Sequence, residues 1–237
     1  MSVVVSVMLL AFLAGIAMPL GALVAKLEHI STNWLKFEFR HAVMAFGGGT
    51  LLSAVALVLV PNGIANLAPL WACLALMIGG LSFMGLDILL SKHNTPASQL
   101  AAMLADFIPE SIALGATYLL HRESALLLAV IIALQNLPEG FNAFRELREN
   151  GAYSSNKIIA LFFAMAFLGP LAAIIGLFFL VDAPVSLSAL MLFAAGGILY
   201  SIFQDIAPKV PLKKHWLPPM GAILGFMLGM LGAMLVG

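Results

Sequence analysis

Eight apolar runs, each long enough to cross a bilayer as a helix, divide this chain, and no stretch between them could make a water-soluble domain. A helix needs about 20 apolar residues to cross the hydrocarbon core. Such runs fall at about 3–24, 41–60, 68–90, 99–120, 123–145, 157–181, 184–207 and 216–236. Short polar breaks separate them, among them Pro61-Asn62-Gly63, Ser91-Lys92-His93-Asn94, His121-Arg122-Glu123, Arg145 to Lys157 and Lys209 to His215. Irregular backbone cannot face lipid, so spanning segments must be helices or a closed barrel. The runs are continuous and not alternating, which excludes barrel strands. The sequence therefore predicts one all-α, polytopic membrane domain over residues 1–237 with eight transmembrane helices, its partner being the lipid bilayer.

Composition agrees. Charged residues make up 9% of the chain and apolar ones 62%, with a mean hydropathy of +1.08; soluble domains carry about a quarter charged residues. The 11 basic and 11 acidic residues balance, so nothing points to nucleic acid. Cys73 is the single cysteine and lies in an apolar run, where no internal disulfide is available to it. Residues 1–24 lack a basic leader and a cleavage site and are expected to be the first span. No phosphate-binding loop, redox cysteine pair or catalytic triad is present, and no enzymatic activity or organic cofactor is expected.

The basic residues partition sharply. Loops after the first, third, fifth and seventh spans, with their flanks, hold Lys26, Lys36, Arg40, Lys92, Arg145, Arg148, Lys157, Lys209, Lys213 and Lys214, and the opposite side holds only Arg122. Short basic loops stay cytoplasmic, so both termini are expected outside the cytoplasm. An internal symmetry is also visible: Phe46-Gly47-Gly48-Gly49-Thr50-Leu51-Leu52, ending at Pro61, has the shape of Phe193-Ala194-Ala195-Gly196-Gly197-Ile198-Leu199, ending at Pro208, 147 residues on. Two readings stand, an inverted repeat of the kind transporters use and a coincidence between small-residue packing faces.

The chemistry is concentrated in the middle of the chain. The fourth span contains Asp106-Phe107-Ile108-Pro109-Glu110-Ser111 and the fifth Gln135-Asn136-Leu137-Pro138-Glu139-Gly140, both of the form polar-x-x-Pro-Glu-small, 29 residues apart. Acids within a span usually face the bundle interior and mark an ion or substrate path. In each element the first polar residue and the Glu are four apart and share a helix face. Pro109 and Pro138 kink their helices and free the carbonyls of Ala105 and Leu134. Facing each other, the two elements would form an oxygen-lined cage, which suits a divalent cation. Oxygen donors favour Mg²⁺, Ca²⁺ or Mn²⁺ over Zn²⁺, although Zn²⁺ also accepts carboxylates. Protonation of such a site can release its ion. Asn142, one turn beyond Glu139, either continues the path or lies at the interface; Gln204 and Asp205 in the seventh span are candidates to line an exit. Asp87 is expected in the headgroup region, and Thr117 and Tyr200 in local hydrogen bonds or helix packing. His29, His41, His93, His121 and His215 fall at span ends or loops and are not expected to be ligands.

These elements carry a family resemblance. The chain resembles the ZIP family of zinc and iron permeases, particularly its bacterial zinc-uptake branch, over essentially its whole length. That family has His-Asn-x-Pro-Glu-Gly-type motifs in spans four and five, and Tyr200 through Asp205-Ile206-Ala207-Pro208 is similar to the Tyr…Glu-Leu-x-Pro pattern that ends its seventh span. The resemblance implies a pseudo-symmetric 3+2+3 bundle with a metal centre between spans four and five. It also implies import of Zn²⁺, Fe²⁺ or Mn²⁺ as substrate across a bacterial cytoplasmic (inner) membrane, and, as in many members, a homodimer. Glu110 and Glu139 match the family's bridging glutamates, and Asn136 a position that supplies an oxygen ligand. Asp106 and Gln135 stand where the family has His, Phe107 where it has Asn, Ser111 where it has Gly, and Gly169 where many members have the Glu of an Ala-Glu-Pro-Leu-Gly run. One site of Asp106, Glu110, Gln135 and Glu139 is therefore expected in place of two, with a shift toward harder ions.

Overall fold

A computed structural model of the protein describes residues 2–28, 33–93, 96–149, 151, 153–210 and 216–236. These residues are helical, with no strand among them. The helices are α1 (Val3–Gly15), α2 (Ala17–Leu27), α3 (Asn33–Ala54), α4 (Val60–Gly63), α5 (Pro69–His93), α6 (Pro96–Leu120), α7 (Arg122–Glu149), α8 (Ser155–Ala166), α9 (Leu168–Phe179), α10 (Pro184–Ser201) and α11 (Pro218–Val236), with π-helical turns at Val55–Leu59 and Ile202–Ile206. Stacked end to end, they make eight segments long and apolar enough to cross a membrane, from Val3–Leu27 to Pro218–Leu235. Their outer faces remain apolar: Leu70, Trp71, Phe178, Phe179 and Leu235 all stand exposed. Apolar cover on this scale belongs to a bilayer, not to water, so the chain has the character of an integral membrane protein.

The breaks have local causes. The first and sixth segments each interrupt once, at Ile16 and at Phe167, and each has proline at the third residue of the helix that follows, Pro19 and Pro170. A proline there lacks the N–H that would bond back across the break, so the first turn of a new helix is the place that accommodates it. The two π turns are explained similarly. Pro61 and Pro208 follow them by two residues, and each ring would crowd the carbonyl four residues back, at Leu57 or Gln204. The chain widens instead, and the Val60 and Ala207 amides bond to the carbonyls of Val55 and Ile202, five residues earlier.

Both π turns lie 147 residues apart, at the offset of the sequence similarity. Helix crossings follow it too. Gly49 lies so close to α11 that an added Cβ would meet the Ala222 carbonyl oxygen at 2.0 Å, and its counterpart Gly196 stands in the same relation to Leu76 of α5. α3 thus packs on α11 as α10 packs on α5, while α2 packs on α7 and α6 on α9.

Two helices run past the expected ends of their spans. α3 begins at Asn33 and not near 41, and α7 continues to Glu149 and not to 145. An ionic cluster supports both extensions. Glu28 Oε2, just beyond α2, accepts from Arg145 Nη1 and lies 3.6 Å from Arg40 Nε. Glu149 Oε1 lies 3.7 Å from Arg145 Nη2 and 3.9 Å from Arg40 Nη1. His41 accordingly sits inside α3, its Nδ1 2.7 Å from the Phe37 carbonyl oxygen. His29, His215, Lys213 and Lys214 lie outside the described residues.

Candidate metal site

α6 and α7 are neighbours joined through His121 alone, and both remain helical through Pro109 and Pro138. This hairpin brings the two Pro-Glu elements together near the middle of the bundle. Glu110 is fully buried, and its Oε2 accepts a hydrogen bond of 2.6 Å from Gln135 Nε2, itself 2% exposed. Three further oxygens in this layer, Asp106 Oδ1, Glu110 Oε1 and Gln135 Oε1, are buried with no hydrogen-bond donor. Buried acceptors in native proteins are nearly always satisfied by protein, water or an ion. Three orphaned acceptors in one layer are what a cation would satisfy.

A cavity of about 390 Å³ reaches this layer from one end of the bundle. Asp106, Gln135, Pro138 and Glu139 line its deep part, and Asn142, Asp87 and Asp205 continue its wall. Ser91, Glu146 and Lys209 line it as well, so it opens toward the end that carries the basic loops. Glu110 does not line the cavity and sits behind Gln135. Toward the opposite end the packing is closed: Leu114, Leu128, Ile131 and Ile132 are each fully buried.

Several expected residues sit elsewhere. The side-chain amide of Asn136 is spent on α1, where Nδ2 donates to the Ala14 carbonyl at 3.0 Å, and Asn136 does not line the cavity. Its rotation on α7, one residue from Gln135, points it at a different neighbour. The facing cage is also looser than spacing implied: among the described residues, no group of three or more His, Cys, Asp or Glu side chains is placed to hold a metal ion. The Gln135 amide stands between Glu110 and the cavity and takes up part of that room. Asn142 and Asp205 line the cavity, whereas Gln204, on the same π turn, is exposed and does not.

Asp87 lines the cavity and accepts a 2.9 Å hydrogen bond from the Tyr200 hydroxyl. Tyr200 is therefore satisfied, across helices by an acid of α5 and not by a local bond. Thr117 is not: it is 1% exposed, and its Oγ1 has no partner. An acid and a tyrosine at the same end of spans three and seven were the only signal for the first pairing, and nothing in the spacing marks the second. Phe107 is buried against the breaks in the first and sixth segments, and Cβ atoms added at Gly15 and Gly169 would lie 2.9 and 2.6 Å from its Cζ. The two glycines and the aromatic ring are therefore mutually fitted, and the ring fills the space that a side chain at position 169 would need.

Fold and site together define a helical membrane bundle with an acid-lined cavity that ends blindly at its midpoint. Compared with known proteins, the chain matches no family model and no curated protein sequence.

Proposed function

We propose that the protein carries divalent metal cations across the membrane, using Asp106, Glu110, Gln135 and Glu139 as its central oxygen ligands. The observation that carries this reading is the set of donorless buried oxygens on Asp106, Glu110 and Gln135 where the cavity ends. An uncompensated carboxylate inside a membrane protein is costly, and such groups concentrate on ion paths. Among the described residues, Lys209 is the one cation that lines the cavity, so an anionic substrate would meet a wall of like charge.

The donors are carboxylate and amide oxygens without imidazole or thiolate. That set favours Mn²⁺, Mg²⁺ or Ca²⁺ over Zn²⁺, with Fe²⁺ between them. The filling of the Phe107–Gly169 space supports one central ion and not two. We read the eight segments as a pseudo-symmetric 3+2+3 bundle, in which α6 and α7 form the central pair and the three segments on either side are inverted copies. By the basic-loop rule the cavity opens to the cytoplasm, both termini lie outside, and transport runs inward, across a bacterial inner membrane as the ZIP resemblance implies. That resemblance also supports a homodimer.

The test is uptake by purified protein in sealed proteoliposomes, comparing Mn²⁺, Fe²⁺, Zn²⁺, Mg²⁺ and Ca²⁺ with a Glu110→Gln/Glu139→Gln control. Saturable flux that falls to background in the control is the expected result; flux indifferent to both substitutions refutes the reading. The cavity volume favours a second reading, because about 390 Å³ falls in the range of small-molecule pockets. An organic-solute carrier would show no metal flux from folded protein and would need a solute to drive its conformational change.

A further inference from the structure

The cavity accounts for a path between the central oxygens and the basic end, but not for how an ion reaches them from the other side. We propose that the Thr117 hydroxyl is a second ion-binding station, on a lane that joins Glu110 to the end of the bundle opposite the basic loops, and that it contacts a hydrated divalent cation on its way in. This rests on the metal-transport reading above.

The distribution of unsatisfied groups carries the inference. Buried side-chain polar atoms without a partner among the described residues fall into two sets. One belongs to the Glu28–Arg40 ionic cluster, and the other consists of Asp106, Glu110, Ser111, Thr117 and Gln135. All of the second set lie on the α6–α7 pair. Thr117 is the member farthest from the cavity, in the last turn of α6, where its carbonyl accepts from the His121 amide at 2.7 Å.

Other buried serine and threonine hydroxyls among the described residues, Ser111 apart, find a backbone carbonyl. Thr50 Oγ1 donates to the Gly47 carbonyl at 2.8 Å, and Ser53 Oγ to the Thr50 carbonyl at 2.7 Å. Ser188 Oγ reaches the Asn62 carbonyl at 3.3 Å. Thr117 has the same options and takes none of them.

Its position on α6 supplies the second argument. Asp106, Glu110, Ala113 and Thr117 recur at spacings of four, three and four, so they form one stripe on one face. Glu110 and Thr117 are seven residues apart, about 10 Å along the axis at 1.5 Å per residue. Between them stand Ala113 and Leu114, each three or four residues from both and fully buried. The stripe thus offers carboxylate, carboxylate, a gap bordered by Ala113 and Leu114, and a hydroxyl, with Leu128 and Ile132 of α7 also fully buried. The packing between Glu110 and Thr117 is closed in this conformation, and the Thr117 hydroxyl has no protein partner within it.

The experiment uses the full chain in proteoliposomes with Mn²⁺ as the probe, comparing native protein with Thr117→Val and Thr117→Ser. A parallel arm introduces Thr117→Cys in a Cys73→Ser background, where Cys73 is the only native cysteine and lies on the exposed surface. Removing one hydrogen-bonding oxygen from the path should slow uptake about fivefold to tenfold in Thr117→Val, while Thr117→Ser stays within about twofold of native. Thr117→Val should unfold no earlier than native protein, because the orphaned hydroxyl is gone. The introduced cysteine should react with a membrane-impermeant thiol reagent from the side opposite the basic loops, and Mn²⁺ should slow that reaction. Native uptake rates in Thr117→Val, or a cysteine unreactive from that side, would overturn the proposal. The labelling arm needs no flux, so native protein that moves no metal would count against the transport reading separately.

Discussion

Gly140 follows Glu139 directly, at the point where α7 crosses α2, and replacing it by alanine tests how the site is held. An added Cβ would fall 2.1 Å from the Met18 carbonyl oxygen and 2.8 Å from the carbonyl carbon and Cα. All three are backbone atoms, so no side-chain rotation relieves the overlap. An ordinary contact begins at 3.4 Å, and the helices must part by the difference or twist apart. Overpacking of this kind costs about 1–3 kcal/mol, and the rigidity of two crossing backbones puts Gly140→Ala at the upper end. Alanine's better helix propensity returns up to about 1 kcal/mol, leaving a net loss of about 2 kcal/mol. Gly85 is the control. Nothing lies within 4 Å of its added Cβ, so Gly85→Ala should be neutral or stabilise by up to about 1 kcal/mol. Unfolding in mixed detergent–SDS micelles, followed by circular dichroism, measures both. Equal stabilities for native protein and Gly140→Ala would refute the close crossing, and an equal loss in both variants would refute the assignment of cost to backbone overlap. Uptake should fall in Gly140→Ala as well, since the displacement occurs beside a proposed ligand.

Four further outcomes follow from the structure. Glu28→Gln leaves Arg40 and Arg145 facing each other across a site only 6% exposed at the Glu28 side chain; breaking such a buried pairing should cost about 3 kcal/mol in the same unfolding assay. Glu149→Gln, whose side chain is 69% exposed, should cost less than about 1 kcal/mol. Asn136→Ala removes the bond to the Ala14 carbonyl and should lower stability by about 1–3 kcal/mol without altering the ranking of transported ions; a changed ranking would show that Asn136 is a ligand after all. Carboxylates must be deprotonated to bind metal, so the apparent KM for Mn²⁺ should rise as pH falls and the site fills with protons. A KM flat across the acid range would remove the carboxylates from the binding step.

Much of this was legible in the sequence because the bilayer imposes a length and an apolarity that few residues violate. The eight segments and the concentration of polar atoms at Asp106, Glu110, Gln135 and Glu139 follow from that constraint. Rotational detail did not. Asn136 adjoins Gln135 in sequence but faces α1, and spacing along one helix carries no information about which neighbour each side chain meets. The partner of Asp87 was hidden because Tyr200 is 113 residues away. Thr117 read as satisfied because threonines in helices usually are. The extension of α3 and α7 past their apolar runs was hidden for the same reason: Glu28 and Arg145, 117 residues apart, have to meet before those charged turns are stable.

The two π turns show how one backbone device serves unlike ends of the bundle. Few side chains match across the 147-residue offset, yet the π turns coincide, because a proline two residues on imposes the same backbone in both segments. What each turn presents is different. Val58 is fully buried in the first, at the closed end of the bundle, while its counterpart in the second is Asp205, which lines the open cavity. Val55 and Ile202, the residues that open the two turns, are both buried. The same backbone device thus seals one end with hydrocarbon and furnishes the other with a carboxylate. If the two segments exchanged conformations, the barrier now formed around Val58 would have to form around Asp205 and exclude or neutralise its charge. The present conformation, with the acid lining an open cavity and the valine packed, is the one that these side chains favour.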